Sequence, residues 1–388
     1  MQGCISINKQ YREYDYLKYI TLANNFDLTV LWICPFRESE PLPEILKAQI
    51  KYPILSFKGS RLKPWHLTFN LRLLAMVLAI GGGSDIIISS TSDAWHSKVV
   101  FLANLWLRKL IAFRKEVWTK TYDRKKGIVE ALTSFIEKNS NASLFIGSMQ
   151  KKLLLENGLK PEKLFPFPYL IHDLKTRRVD DRVTSDFLDL YRDKVKFLYL
   201  GLVIPRKGLD VLIHSFLRLS EDYEDALLLV VGGPDRKGFS RENTDDFYRE
   251  CRKLAQCDRI IFFDKVSPFE VHNYYHIADV FVHPHRKFLN GGKATYEGWG
   301  NVVVEAASMG LPLIVSDRVS SAFDLIKNYE NGIIVNSDEL EENLFQAMKF
   351  FLDNREKIKT FGAKSREMYE RFNRPEIIVE SINSAMNT

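Results

Sequence analysis

The chain has 388 residues, 46% of them hydrophobic and 27% charged, with a formal net charge of +6. That length exceeds what one small core holds and predicts two domains, and the composition is ordinary for a globular protein. Cys4, Cys34, Cys251 and Cys257 form no C-x-x-C pair and no zinc pattern, and no stretch reaches 18 uninterrupted apolar residues, which argues against a disulfide framework, a zinc module and a membrane span. The amino terminus shows no basic start leading into an apolar run, so no signal peptide is expected and a cytoplasmic location with reduced thiols is the default.

In chain order, residues 3–7 (Gly3-Cys4-Ile5-Ser6-Ile7) read as a poor first strand. Residues 16–25 read as a helix and 28–33 as a buried strand. Pro64 opens a helix running to about residue 80, since proline is tolerated in a first turn. A short strand at 85–89, a helix at 95–110, a strand at 111–117, a helix at 131–138, a strand at 143–147 and a helix at 149–158 follow. A charged stretch, 171–194, reads as a linker. The alternation then restarts with a strand at 195–200, a helix from 209, a strand at 227–231, a helix ending near 255, a strand at 260–263, a helix at 268–277 and a strand at 278–282. Repeated strand–helix units imply parallel sheets covered on both faces. The expected organisation is a first α/β domain over 1–170, a linker over 171–194 and a second α/β domain over 195–374, with a ligand cleft between the two domains.

The segment Tyr296-Glu297-Gly298-Trp299-Gly300-Asn301-Val302-Val303-Val304-Glu305 carries the most chemistry. Its setting reads as strand, glycine loop, helix, glycine stop, strand. A helix beginning near Gly300 leaves the N–H groups of Gly300, Asn301 and Val302 free, and such an end attracts a phosphate. Glu297 precedes the helix and Glu305 lies about a turn inside it. Two carboxylates flanking one ligand suit sugar hydroxyls and a ribose diol. The bland alternative is an ordinary loop with surface glutamates.

The pattern E-G-W-G-N-x-x-x-E-A resembles the signature of glycosyltransferase family 4, retaining enzymes of the two-domain GT-B fold. The resemblance covers most of the second half and is one of rhythm only in the first 130 or so residues. It implies two Rossmann-like domains, and the final helix, about 375–388, is expected to pack back on the first. It also implies transfer of a sugar from a nucleotide diphosphate sugar, as co-substrate and with no further cofactor, to a hydroxyl acceptor on a glycan or lipid. By the resemblance, Glu297 orients the sugar, Glu305 holds the ribose, and Lys207 contacts the donor phosphates within Gly201-Leu202-Val203-Ile204-Pro205-Arg206-Lys207-Gly208. The family has an arginine where Leu202 stands, so Arg206 or Arg286 is expected to supply that charge. Gly232, in Val230-Val231-Gly232-Gly233-Pro234, resembles the glycine turn beside the nucleotide. Lys265 and Val266 follow the strand whose exit holds the base in relatives. Gly298, Trp299, Gly300, Asn301 and Val302 complete the expected donor site. Relatives also begin with a glycine-rich loop, which is absent here. The front-face mechanism implied needs no dedicated general base.

No Asp-x-Asp occurs, so no metal-bound diphosphate is expected. His283 and His285 either touch the donor or line a surface turn, and the turn is the expectation. In the first half, Asp93, His96, Glu116, Tyr122 and Asp123 lie at or beyond predicted strand ends and are acceptor candidates. Through Leu170 the chain holds 24 Lys+Arg against 14 Asp+Glu, and the remainder 31 against 35. A basic first half suits an anionic membrane surface or a phosphorylated acceptor, with residues 51–66 and 124–126 as mixed basic and aromatic segments. A peripheral position at the inner face of the membrane would follow. No nucleic-acid-binding module is apparent. The rival readings are a sugar-nucleotide epimerase on the same fold and a non-catalytic sugar-nucleotide-binding subunit.

Overall fold

The computed structural model describes residues 2–7, 16–35, 54–57, 67–83, 85–89, 95–114, 128–235, 244–287, 289–290, 293–294 and 296–387. The chain divides into two compact units, Met1–Leu170 with Asn373–Thr388, and Ile171–Phe372.

The first unit contains strands β1 (Gln2–Ile7), β2 (Asp27–Pro35), β3 (Ile54–Phe57), β4 (Ile86–Ser89), β5 (Leu110–Arg114), β6 (Ala142–Phe145) and β7 (Leu164–Pro166). They form one parallel sheet in the order β3-β2-β1-β4-β5-β6-β7. Its helices are α1 (Tyr16–Asn25), α2 (Leu67–Gly81), α3 (Trp95–Leu107), α4 (Ile128–Asn139) and α5 (Ser148–Glu156). Side chains alternate across the sheet. Ile86, Ile88, Ala112, Ala142 and Leu144 pack with Tyr19 and Leu22 of α1, and with Ile378, Ile382 and Ala385 near the carboxy terminus. Ile87, Ile111 and Phe113 face the other way, against Leu73 and Val77 of α2, Val99, Val100, Phe101 and Ala103 of α3, and Ile136 of α4. That is the period-two pattern of a sheet covered on both faces.

The second unit opens with α6 (Asp181–Leu190) and the strands β8 (Val195–Leu200), β9 (Ala226–Val231), β10 (Ile260–Phe263) and β11 (Val280–His283). A small antiparallel pair, β12 (Leu289–Asn290) with β13 (Lys293–Ala294), precedes β14 (Leu313–Ser316) and β15 (Gly332–Val335). The main sheet is parallel in the order β10-β9-β8-β11-β14-β15. Strands β8 and β9 are buried along their whole length, as strands covered on both faces must be. The helices are α7 (Leu209–Asp222), α8 (Thr244–Leu254), α9 (Val271–Ile277), α10 (Asn301–Ser308), α11 (Ala322–Leu325), α12 (Leu340–Asp353) and α13 (Glu356–Phe372). Helix α7 buries Leu209, Leu212, Ile213, Phe216 and Leu219, one stripe at helical spacing, in a core shared with Leu344, Met348 and Phe351 of α12. The last helix, α14 (Pro375–Met386), starts at a proline and belongs to the first unit.

Three expectations change. Residues 2–7 form a central strand paired on both sides, Ile5 with Val30 and with Ile88. Its mixed composition matters less than its two neighbours: β2 pairs along its whole length and β4 from Gly3 to Ser6. Residues 171–194 are not a linker but the start of the second unit. Leu174 is buried, and Phe187 of α6 lies edge-on to Phe263 of β10 at 5.9 Å. Asp173 forms a bidentate pair with Arg366, both contacts at 2.6 Å. Strands β3 and β7 were not anticipated, being short sheet members next to prolines or turn residues.

Ile382→Ala tests the seating of α14. The side chain is 1% exposed in the first core, so truncation should cost about 2–5 kcal/mol of unfolding free energy. Exposed Glu380→Ala on the same helix should stay within about 0.5 kcal/mol. Denaturant midpoints for the two variants measure the contrast, and equal midpoints would contradict the packing described.

Candidate active site

In the second sheet, strand order reverses between β8 and β11. The carboxyl ends of parallel strands at such a reversal leave a crevice where ligands settle. The loop after β8 carries Gly201, Arg206 and Lys207; His283 closes β11, and the loop after it carries His285 and Arg286. A short 3-10 turn, Pro205–Lys207, ends in Gly208 with φ 71°. A Cβ on Gly208 would lie 2.1 Å from the Pro284 carbonyl oxygen, so only glycine lets the two loops meet backbone to backbone. The Arg286 N–H donates to the Arg206 carbonyl at 3.0 Å and joins them. On the other side, Gly232 follows β9, and a Cβ there would lie 1.9 Å from the Gly201 carbonyl oxygen.

Glu297 sits at the centre. Its Oε2 accepts from Lys207 Nζ at 2.5 Å and from Arg206 Nη1 at 3.1 Å, and lies 3.6 Å from His285 Nε2. Lys207 Nζ is also 3.4 Å from His283 Nε2, and Arg206 Nη1 is 3.2 Å from His285 Nε2. The turn after β14 fixes the glutamate's backbone. The Glu297 N–H donates to the Arg318 carbonyl at 2.8 Å, and Ser320 Oγ donates to the Glu297 carbonyl at 3.1 Å. Ser316 Oγ donates to the His285 carbonyl at 2.5 Å and accepts from the Arg318 N–H at 3.1 Å, so one serine ties the histidine loop to that turn.

Burial opposes ionisation of Glu297, but the field of Lys207 and Arg206 outweighs it and holds the carboxyl well below the usual carboxylate range. Burial pulls the Lys207 ammonium below a free lysine's pKa, partly offset by Glu297. Both imidazoles are fully buried. Burial lowers His283 well below an ordinary histidine and lowers His285 to about 4, so both are neutral at pH 7.

Helix α10 begins at Gly300, whose φ of 84° is left-handed, and no side chain caps it. Around this start Trp299 Nε1, Asn301 Oδ1 and Ser321 Oγ are buried without hydrogen-bond partners. Buried polar atoms seldom stay unpaired, so their grouping beside uncapped N–H groups marks a place for a polar ligand. Trp299 stacks on Phe372 at 5.0 Å, which steadies the loop. Inside the helix, Glu305 is 4% exposed and its Oε2 accepts from Tyr275 Oη at 2.8 Å.

The structure thus brings Arg206, Lys207 and Glu297 into one cluster, with Gly201 and Gly232 in contact beside it. Gly298, Trp299, Gly300, Asn301 and Val302 lie at the α10 start, with Glu305 one turn on. Lys265 and Val266 follow β10, where Lys265 is exposed and its Cβ approaches Gly233. Of the two candidates for the second cation, Arg206 reaches Glu297, whereas Arg286 Nη1 pairs with Asp210 at 2.8 Å. The surface-turn expectation for His283 and His285 is corrected: the β8 loop covers both. Sequence reading also missed Tyr275 and Arg318. Arg318 donates to Tyr296 Oη at 2.7 Å and to Ser337 Oγ at 2.6 Å, contacts no local motif announces. Asp93, Glu116, Tyr122 and Asp123 lie outside the described residues, and so does the side chain of His96 in α3.

Residues 181–368 match the family model described as "Glycosyl transferases group 1". The match covers just under half of the chain and lies within the second unit. Among curated proteins, the chain is 24% identical over 245 residues to the capsular polysaccharide biosynthesis glycosyltransferase CapM of Staphylococcus aureus, covering 62% of this chain and 60% of that one. It is 26% identical over 196 residues to a GDP-mannose-dependent alpha-(1-6)-phosphatidylinositol monomannoside mannosyltransferase of Mycobacterium tuberculosis, covering 49% of this chain and 47% of that one. Both matches span less than two thirds of the relative. Among solved structures, Anabaena Alr3699/HepE in complex with UDP superposes with a TM-score of 0.76 at 12% identity, covering 100% of each chain. The fold is GT-B.

The buried imidazole at 285 makes stability depend on acid. An unfolded His285 takes up a proton near 6.5, while the folded one, facing Arg206, Lys207 and Glu297, resists protonation until about 4. The unfolded state therefore binds more protons within that window, and stability falls as pH drops through it. His285→Gln should flatten this slope, by up to roughly 3 kcal/mol between the two ends. Thermal midpoints of wild type and variant at pH 7, 6, 5 and 4 read it; parallel curves would contradict a buried neutral imidazole.

Proposed function

We propose that the protein is a retaining glycosyltransferase that moves a sugar from a uridine or guanosine diphosphate sugar to a hydroxyl of a glycan or lipid-linked acceptor. The observation that carries this reading is the cluster of Lys207, Arg206 and Glu297 beside the uncapped, polar-lined start of α10. The two cations and the N–H groups at the helix start converge where a diphosphate leaving group gathers charge, and preorganised donors in a buried site stabilise that charge strongly. The relatives named above support the class: one is named for GDP-mannose and one is complexed with UDP.

In this reading the diphosphate lies against the α10 start, with Lys207 and Arg206 on its oxygens. Glu297 hands part of its pairing with these cations to the phosphate and turns its carboxylate to the sugar hydroxyls. Glu305, oriented by Tyr275, takes the ribose diol. Gly201 and Gly232 let the backbone approach the nucleotide, and the exit of β10 at Lys265 and Val266 holds the base through main-chain groups. The bond from the anomeric carbon to the phosphate oxygen breaks, the acceptor oxygen bonds on the same face, and its proton passes to the departing phosphate. No cofactor takes part, and the acceptor belongs to the first unit. The family's arginine, replaced by Leu202, is compensated by Arg206 from one turn further along. The work is cell-surface glycan or glycolipid synthesis, carried out on the cytoplasmic side.

Two outcomes test the reading. Glu297→Gln should lower turnover at least a hundredfold with donor affinity changed far less, and Glu305→Gln should instead weaken donor binding by about 1.5–3 kcal/mol. A thermal-shift screen of nucleotide sugars finds the donor first, since a ligand of the native state raises its stability. Turnover by the purified protein then separates an enzyme from a binding subunit, and transfer separates it from an epimerase. Near wild-type kinetics in folded Glu297→Gln would overturn the assignment.

Lys207, Arg206 and the helix start supply positive charge without a divalent ion. Activity should therefore persist in excess chelator. A full loss restored by magnesium or manganese would contradict this account of leaving-group stabilisation.

A further inference from the structure

The basic segments 124–126 and 51–66, apart from β3, lie outside the described residues. The second unit holds two titratable side chains that the proposed reaction leaves without a task, His283 and His285, both wholly buried. His283 lies on the same side of β11 as Phe281, two positions earlier. Its ring stacks on that phenyl, with 6.1 Å between centroids and 12° between planes. The main chain of His285 is fixed through its carbonyl, which accepts from Ser316 Oγ at 2.5 Å. Neither imidazole reaches water.

The neighbours of these rings fix their tautomers. A guanidinium and an ammonium group only donate hydrogen bonds. Arg206 Nη1 lies 3.2 Å from His285 Nε2, and Lys207 Nζ lies 3.4 Å from His283 Nε2. Both Nε2 atoms must then accept, which places the ring proton on Nδ1 in each imidazole. Each Nδ1 is buried without a hydrogen-bond partner. An unpaired buried N–H costs stability, so an apolar side chain of similar size would serve the fold better at either position. What an imidazole offers there, and an apolar side chain does not, is the lone pair on Nε2.

That lone pair matters once a diphosphate arrives. Without ligand, Glu297 Oε2 holds both cations. A carboxylate that stayed there would cancel their charge and repel the phosphate oxygens. Once Glu297 leaves, Arg206, its side chain 35% exposed, is free to swing to water unless something else holds it. We infer that His283 and His285 are positioning residues: as neutral acceptors they keep Lys207 and Arg206 aimed at a diphosphate when Glu297 turns away, and they add no negative charge of their own. An acidic side chain in either place would hold the cation equally well and spoil it for the phosphate. With Leu202 supplying no charge, the site depends on Arg206 keeping its aim. This role rests on diphosphate binding as proposed above and requires no sugar transfer.

Calorimetric titration of the full chain with inorganic pyrophosphate, UDP and GDP, beside thermal midpoints at pH 7, tests this. His285→Leu should weaken pyrophosphate and nucleoside diphosphate binding roughly tenfold, as for a lost hydrogen bond to a charged group. Its midpoint should hold or rise, because an unpaired buried N–H is gone. His283→Leu should act the same way but more weakly, its contact being the longer one. His285→Gln presents an amide oxygen near the place of Nε2 and should keep most of the affinity. His285→Glu also accepts but carries charge, and should bind pyrophosphate less well than His285→Leu. Isotope-edited NMR spectra of the wild type with labelled histidines need no variant to fold. They should show both rings protonated at Nδ1 only, with and without pyrophosphate. An Nε2–H tautomer at either ring, affinity and midpoint falling together in both leucine variants, or a wild type that binds neither pyrophosphate, UDP nor GDP would each overturn the assignment. Diphosphate binding in the expected order of variants, with no sugar transferred, would support it and remove only the transferase reading.

Discussion

The contact between Lys207 and Glu297 constrains everything around it. Two opposite charges, the lysine almost wholly buried, meet at 2.5 Å where strand order reverses in the second sheet. Desolvating such a pair costs several kcal/mol per ion, and the attraction repays this only when the remaining valences are met. Here Arg206 shares the carboxylate, His283 and His285 line the charges as neutral imidazoles, and the turn after β14 grips the Glu297 backbone. Apolar residues would fill the same volume at less cost. On the proposed reading, the pair persists because a diphosphate can take the glutamate's place on both cations.

The packing explains why those groups come together. The loops after β8 and β11 touch through their backbones at Gly208 and Pro284, and the Arg206–Arg286 main-chain bond sets their register. Side chains on either loop then have few places to go. Lys207 turns inward to Glu297, and Arg286 turns to Asp210. Strands buried on both faces supply the rigid base, with a core shared by α7 and α12 beneath. Precision at the site is thus inherited from the sheet, and the loops add only short, tied excursions.

Much of this was legible in the sequence. The strands at 195–200 and 260–263 and the helix at 16–25 follow from periodicity alone, and the glycine spacing around Glu297 points to the helix start that stands at Gly300. His283 and His285 were misread because their neighbours Pro284, Arg286 and Lys287 look like a solvated turn. What buries them is a loop some 80 positions earlier, since Arg206 and His285 are separated by 79 residues. The stretch 171–194 was misread for a related reason. Its charges suggest a linker, while Phe187, 4.7 Å from Tyr191, packs edge-on against Phe263 of β10. Strand β1 was undervalued because a central strand is defined by its two partners as well as its own residues. Contacts set by tertiary approach leave little local trace.

The split membership of the first unit has a consequence for biosynthesis. Ile378, Ile382 and Ala385 complete a core whose other members lie between Tyr19 and Leu170. Some 200 residues of the second unit, Ile171–Phe372, are made in between. A chain emerging from the ribosome therefore exposes the apolar face of α1, β4, β5 and β6 while the second unit, contiguous in sequence, is free to fold first. The later-made unit can reach its native state ahead of the earlier one, the reverse of the usual order for domains folded during synthesis.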